Sequence, residues 1–126
     1  AVVLSTDVCV PISALAACVG ATRQDIDRLG LLAPIVGHVG DGNFHVMPLI
    51  DPANQEERRK VQAFLDRLVE RALAFGGTCT GEHGIGQGKI NYLVAEHGAG
   101  VQVMAAIKKA LDPLNILNPG KIFALP

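Results

Sequence analysis

The stretch GHVGDGNFH, residues 37–45, holds two histidines, three glycines, an Asp and an Asn, and its turn decides how the chain folds. Asp41-Gly42 is a strong signal for a two-residue hairpin turn, because both central positions of a type I′ turn need positive φ. A turn there predicts that Gly40 pairs with Asn43, Val39 with Phe44 and His38 with His45. Directly opposed residues on neighbouring strands share a face, with Cβ atoms about 4.5–5.5 Å apart. Two imidazoles so placed can share one metal ion, while Val39 and Phe44 turn to the core. The same pattern also suits a solvent-facing pair of histidines, and a three-residue loop would shift the pairing.

The segments on either side extend the pattern. VVLSTDVCVP, residues 2–11, is rich in branched residues and ends at a proline, which predicts a first strand. From Pro11 the apolar positions Ile12, Leu15, Ala16, Val19 and Ile26 recur at helical spacing until Gly30, which predicts a helix. LAPIVGHVGDGNFHVMPLI then gives two strands about the turn. A second helix is predicted from the cap Asn54, with an apolar stripe of Val61, Leu65, Leu68, Val69, Ala72 and Phe75, ending at Gly76-Gly77. TCT, residues 78–80, adds a short strand before the loop GEHGIGQGK, and residues 90–111 return to helix, broken at Gly98–Gly100. The order strand, helix, strand, strand, helix, short strand predicts an α+β fold: a ferredoxin-like antiparallel sheet covered by helices, with additional C-terminal helices.

Composition narrows the function classes. The 126 residues are 49% hydrophobic, and 11 Lys and Arg nearly balance 12 Asp and Glu. The chain therefore has a core of real size and no global field to draw nucleic acid or an anionic membrane. Cys9, Cys18 and Cys79 are odd in number and lack any C-x-x-C pair. This argues against a disulfide framework and a cysteine zinc site, and for a reducing, cytoplasmic compartment. Apolar runs stop well short of the roughly 20 residues of a membrane span. AVVL at the start has no basic flank of the secretory kind, and the opening on Ala1 leads us to expect a piece of something longer.

Two histidines rarely suffice for zinc or iron, whereas two histidines and a carboxylate form a catalytic set with open positions. Glu82, beside His83 in the glycine-flanked TGEHGIGQG, is the best third ligand. The same loop is not a phosphate cradle. Only three residues separate Gly84 from Gly88-Lys89, where a Walker loop needs four, and Gly84, Gly86 and Gly88 alternate rather than follow the dinucleotide fingerprint. His97 is given no role.

Taken in order, GHVGDGNFH, GEHGIG and LDPLNILNPGKIF resemble the C-terminal domain of the FAD-linked oxidases. The resemblance is to the D-lactate, glycolate and D-2-hydroxyglutarate dehydrogenase branch of the vanillyl-alcohol oxidase and para-cresol methylhydroxylase superfamily. It covers essentially the whole chain and implies that residues 1–126 are the C-terminal cap, or substrate, domain of such an enzyme. The FAD-binding domain would lie N-terminal in the same polypeptide, together with basic groups for the substrate carboxylate. The resemblance further implies His38, His45 and Glu82 as metal ligands, His83 as catalytic base and substrate contact, and Asn43 as a substrate contact. A divalent ion, zinc first with manganese or iron as alternatives, would lower the pKa of a 2-hydroxy acid's hydroxyl. An imidazole, with an ordinary pKa of about 6.5, would take its proton. Hydride would then pass to the flavin, leaving a 2-oxo acid.

A turn role for Asn43 and a fourth-ligand or supporting role for His83 remain open beside these. Glu82 and His83 can point the same way only from an irregular backbone, which is therefore expected at that loop. The isolated chain is expected to be inactive and prone to self-association. The electron acceptor is unassigned and could tie the protein to a membrane periphery. A self-contained metallohydrolase fits poorly, having too few strands to enclose a substrate. The alternative is a non-enzymatic, ferredoxin-like metal-binding or regulatory module.

Overall fold

A computed structural model describes residues 1–124, which fall into two compact units, Ala1–Glu82 and a second that begins at His83. The first unit opens with two strand segments, β1 (Val2–Val3) and β2 (Val8–Cys9), followed by helix α1 (Ile12–Leu29). β3 (Ile35–His38), β4 (Asn43–Val46) and β5 (Leu49–Ile50) lead into helix α2 (Gln55–Ala74). All pairings are antiparallel: β2 and β3 flank β4, β1 pairs with β5, and Thr78 bridges Cys9 on the outer side of β2. The spatial order Thr78, β2, β4, β3 is the ferredoxin-like order expected from the sequence, with its last strand reduced to one bridge.

The first strand, expected to be continuous, is interrupted. The Thr6 hydroxyl accepts the Val46 N–H at 2.7 Å, while the Thr6 N–H still donates to Val46 O at 3.0 Å. A side chain thus stands in for a ladder carbonyl, and β1 and β2 join different partners.

The hairpin register differs from the expected one. Val39–Asp41 form a 3-10 turn closed by Gly42, so four residues separate the strands. His38 pairs with Asn43, and His45 lies opposite Val36 rather than opposite His38. The wider turn is held against β2, where the Val10 N–H donates to Gly42 O at 3.0 Å and the Cys9 thiol to Asp41 O at 3.2 Å. Gly42 has φ of 75°, and a Cβ there would come within 2.0 Å of Val10 O. The slip is of two residues, so both histidines stay on one face. Val39, expected in the core, sits in the turn and is 68% exposed.

Val8 pairs with Phe44, and these two with Val46 form the buried apolar face of the sheet. The helices complete the core with Cys18 and Ile26 from α1 and Val61, Phe64, Leu68, Val69 and Ala72 from α2. Each fully buried large side chain contributes about 1.5–3 kcal/mol. The α2 stripe is rotated slightly from the expected one, since Phe64 is fully buried while Phe75 emerges past the helix end. In α1 the exposed face includes Ile12, and the buried face runs Cys18, Thr22, Asp25 and Ile26. Asp25 accepts from Arg28, Arg67 and Arg71, and Arg71 also donates to the Thr22 hydroxyl, a polar lock between the two helices. Asn54 caps α2 as expected, accepting from the N–H groups of Glu56 and Glu57.

In the second unit, residues 83–89 are irregular and lead into α3 (Ile90–His97) and α4 (Gly100–Leu111), divided at the expected break. Asp112 gathers the following turn, accepting from Lys108 and from the N–H groups of Ile116 and Leu117. The Ile122 N–H returns to Gly86 O at 2.7 Å. No α4 residue is buried, and Val103, Ile107 and Leu111 form an exposed apolar row. No helix among the described residues is long and apolar enough to cross a membrane.

Candidate metal centre

The face of the sheet opposite the apolar core carries the chemistry. By strand alternation Asp7 and Cys9 share this face, with Asn43 opposite Cys9, His38 opposite Asn43, and His45 two residues further along β4. Residues 78–82 run beside β2 after the Thr78 bridge and bring Glu82 to the same place.

One ligand atom from each of His38, His45 and Glu82 falls within 4.8 Å of the others. Glu82 Oε1 lies 3.0 Å from His45 Nε2 and 3.7 Å from His38 Nε2. Donors about 2.0–2.2 Å from one ion and tetrahedrally disposed stand about 3.4 Å apart, so these separations fit a single divalent cation. Hydrogen bonding strengthens the argument. His45 Nδ1 is 2.8 Å from the carbonyl of Thr6, which can only accept, so Nδ1 donates there and the ring turns Nε2 toward Glu82 Oε1. The His38 side chain is mostly exposed, that of Glu82 is about half exposed and that of His45 is buried, which leaves one side of the set open to solvent.

Asn43 is buried. Its Nδ2 donates to Asp7 Oδ1 at 2.7 Å and to the Val8 carbonyl at 2.9 Å, while its Oδ1 has no hydrogen-bond partner among the described residues. Its amide nitrogen is thus committed to the scaffold, and the carbonyl oxygen alone is left for a ligand. His83 follows Glu82 directly, is exposed, and begins the second unit on irregular backbone, as expected for this pair.

The sequence reading missed Asp7. Its carboxylate, 1% exposed, accepts from Asn43, from the Thr80 hydroxyl at 2.8 Å and from the Glu82 N–H at 2.9 Å. The signal was present, since Asp7 is the only charged side chain in the first 22 residues, set in an apolar strand. Thr6 was missed as well, and here the sequence offered no cue, because its part is played by its backbone carbonyl. The neighbouring thiol takes no part as a ligand: burial, then the carboxylates of Asp7 and Asp41, push Cys9 up from its ordinary pKa, and its hydrogen donates to Asp41 O. Cys18 is pushed up by burial too, and the three cysteines are unbridged.

Comparison with known proteins places this geometry in context. The family model described as FAD linked oxidases, C-terminal domain, matches residues 1–122. The chain is 50% identical over 122 residues to the probable mitochondrial D-lactate dehydrogenase of Danio rerio, covering 96% of this chain and 24% of that protein. It is 47% identical over 118 residues to the mitochondrial D-lactate dehydrogenase (cytochrome) of Arabidopsis thaliana, covering 93% of this chain and 21% of that one. With the glycolate oxidase subunit GlcD of Bacillus subtilis it shares 40% identity over 119 residues, covering 94% and 25%. The chain therefore spans about a quarter of the length of these relatives.

Proposed function

The chain belongs to the family of FAD linked oxidase C-terminal domains, and on that premise we propose that it is the substrate- and metal-binding part of an FAD-dependent 2-hydroxy acid dehydrogenase. The activity is oxidation of a D-lactate-, glycolate- or D-2-hydroxyglutarate-type substrate to the 2-oxo acid. Residues 1–126 act as one C-terminal cap domain completed by an N-terminal flavin domain of the same polypeptide. The observation that carries this reading is the convergence of His38, His45 and Glu82 within a chain of that family.

His38, His45 and Glu82 would hold the divalent ion, zinc first with manganese or iron as alternatives, since two imidazoles and a carboxylate suit all three. When bound, the ion supplies Lewis acidity to the substrate hydroxyl, and the flavin accepts the hydride. The remaining work falls to this chain. Thr6 holds the His45 ring so that Nε2 faces the site. Asn43 presents its buried Oδ1 as an acceptor for a substrate hydrogen. His83, adjacent to Glu82, takes the hydroxyl proton on a ring nitrogen. The apolar row Val103, Ile107 and Leu111, with the exposed Leu114, Ile116 and Leu117, supports a surface that other parts of the protein cover; bared in the isolated chain, it would drive self-association. Three unbridged cysteines support a reducing compartment, for which we keep the cytoplasm as the proposal, although two of the relatives above are named as mitochondrial.

The test is anaerobic flavin reduction in the complete protein carrying this chain, loaded with FAD and zinc or manganese and offered D-lactate, glycolate or D-2-hydroxyglutarate. Bleaching of the flavin by one of them, lost in Glu82→Gln and slowed in His83→Asn with FAD retained, is the expected result. No bleaching by any 2-hydroxy acid in the metal-loaded protein would overturn the reading.

A further inference from the structure

We propose that Asp7 is the positioning residue of the metal centre, holding the Glu82 arm in register with the histidine hairpin. The inference rests on the metal-centre reading above and adds to it a residue that acts through the backbone and side chains around the ligands.

The geometry divides the Asp7 carboxylate between two separate elements. Oδ1 accepts from Asn43, which lies directly across from His38 and two residues before His45 on β4. Oδ2 accepts from the Thr80 hydroxyl and the Glu82 backbone N–H, both on the arm that ends in the carboxylate ligand. These hydrogen bonds are shielded from water, the Asp7 side chain being 1% exposed. The Glu82 side chain is nearly half exposed, so its aim depends on where its backbone is held rather than on packing around it. Gly81 shows how closely the arm is drawn in: a Cβ there would lie 2.0 Å from Asn43 Nδ2 and 2.9 Å from Asp7 Oδ1. The His45 ring takes its short hydrogen bond from elsewhere: Nδ1 donates to the Thr6 carbonyl at 2.8 Å and lies 3.9 Å from Asp7 Oδ1. Two consecutive residues thus serve the two sides of the centre, Thr6 the imidazole and Asp7 the carboxylate arm.

Asp7→Asn conserves size but turns one acceptor into a donor, so it must oppose a donor either to Asn43 or to the Thr80 and Glu82 pair. The experiment is competitive zinc binding against a chromophoric chelator, with the absorption spectrum of the cobalt-loaded protein as a second readout. It uses the complete protein in the wild type, Asp7→Asn, Thr80→Val, Glu82→Ala and the Asp7→Asn/Glu82→Ala double variant. We expect Asp7→Asn to weaken zinc binding about 10- to 100-fold, the range for loss of an outer-shell partner, and to alter the cobalt spectrum. Thr80→Val weakens it less. In the Glu82→Ala background Asp7→Asn adds little, because the arm it positions no longer carries a ligand.

A folded Asp7→Asn protein that binds zinc as the wild type does, or losses that are additive with Glu82→Ala, would overturn the proposal. If Asp7→Asn does not fold, Thr80→Val decides: unchanged affinity overturns the proposal, and weakened affinity with an altered cobalt spectrum supports it. Failure of the wild type itself to bind zinc or cobalt would remove the metal-centre reading and this inference with it, and that failure shows before any substitution is made.

Discussion

His38 and His45 stand diagonally across the β3–β4 pair, with ring centroids 6.0 Å apart and ring planes at 90°. The diagonal leaves room for a third group between the rings, and Glu82 Oε1 enters there, within 3.0 Å of one Nε2 and 3.7 Å of the other. The two-residue slip of the hairpin thus sets the spacing of the two rings.

The three proposed ligands differ in their structural setting, and their substitutions should separate accordingly. His38→Ala, at an exposed position, should remove bound metal while changing stability by no more than about 0.5 kcal/mol. His45→Ala should remove metal and also destabilise, because it empties a buried position and leaves the Thr6 carbonyl the long 3.4 Å bond from the Ser5 hydroxyl in place of its 2.8 Å donor, a loss of about 1–3 kcal/mol. Metal content by plasma mass spectrometry, with urea unfolding of the same samples, checks both.

Gly81→Ala should damage the centre and Gly88→Ala should not. A methyl group at 81 overlaps Asn43 and Asp7, whereas position 88 has open space and no positive φ. Overpacking of this kind costs about 1–3 kcal/mol. A Gly81→Ala protein with wild-type stability and zinc affinity would contradict the described path of residues 80–82.

Asp25→Ala should destabilise the first unit by about 3 kcal/mol by stripping the acceptor from Arg71 and two further arginines, the low end for a broken buried pair. Arg28 and Arg67 are about half exposed, so water relieves much of their loss. Zinc affinity should be unchanged, because the lock joins α1 to α2 and supplies no partner to the metal ligands. Paired urea and chelator titrations read the two effects.

Core and cap can be ranked against each other. Phe64→Ala should cost about 3–5 kcal/mol, since the ring is fully buried. Asn54→Ala, which removes the acceptor for two N–H groups at the start of α2, should cost about 1 kcal/mol. The order of urea midpoints tests both.

The turn after α4 should loosen in acid. Lys108 first, then the N–H groups of Leu117 and Ile116, hold the Asp112 carboxyl below the usual carboxylate range. A depressed folded pKa contributes stability above the ordinary carboxylate value, lost as pH falls through the lowered one. Amide protection factors at Ile116 and Leu117, corrected for the intrinsic rate at each pH, should therefore fall in acid below the ordinary range, and Asp112→Asn should show lowered protection already at neutral pH.

Much of this was legible in residue order. Gly30, Asn54, Gly76-Gly77 and the Gly98–Gly100 break are local signals acting within one or two turns, and the helices end or begin where they stand. The histidine pair and Glu82 were legible for the same reason, being unusual side chains at short spacing. The hairpin register was not. Asp41-Gly42 favours a two-residue turn in isolation, but β2 captures the turn through Val10 and Cys9, and a contact from more than 30 positions away outweighs the local preference. The α1 face was misread in the same way: Asp25 is buried because Arg67 and Arg71 come to it from α2, a pairing that hydrophobic periodicity does not record.

The sequence by itself determined the helices, the order of the elements and the prominence of His38, His45 and Glu82, because propensity, capping and donor chemistry belong to residues and their near neighbours. Only the tertiary structure decided how those three side chains meet. Strand alternation sends Asp7 and Asn43 to one face, the Cys9–Thr78 bridge draws the loop alongside, and a single buried carboxylate accepts donors from both. The separation between Glu82 and the histidines is therefore set by long-range hydrogen bonds, which exist only once the sheet has formed.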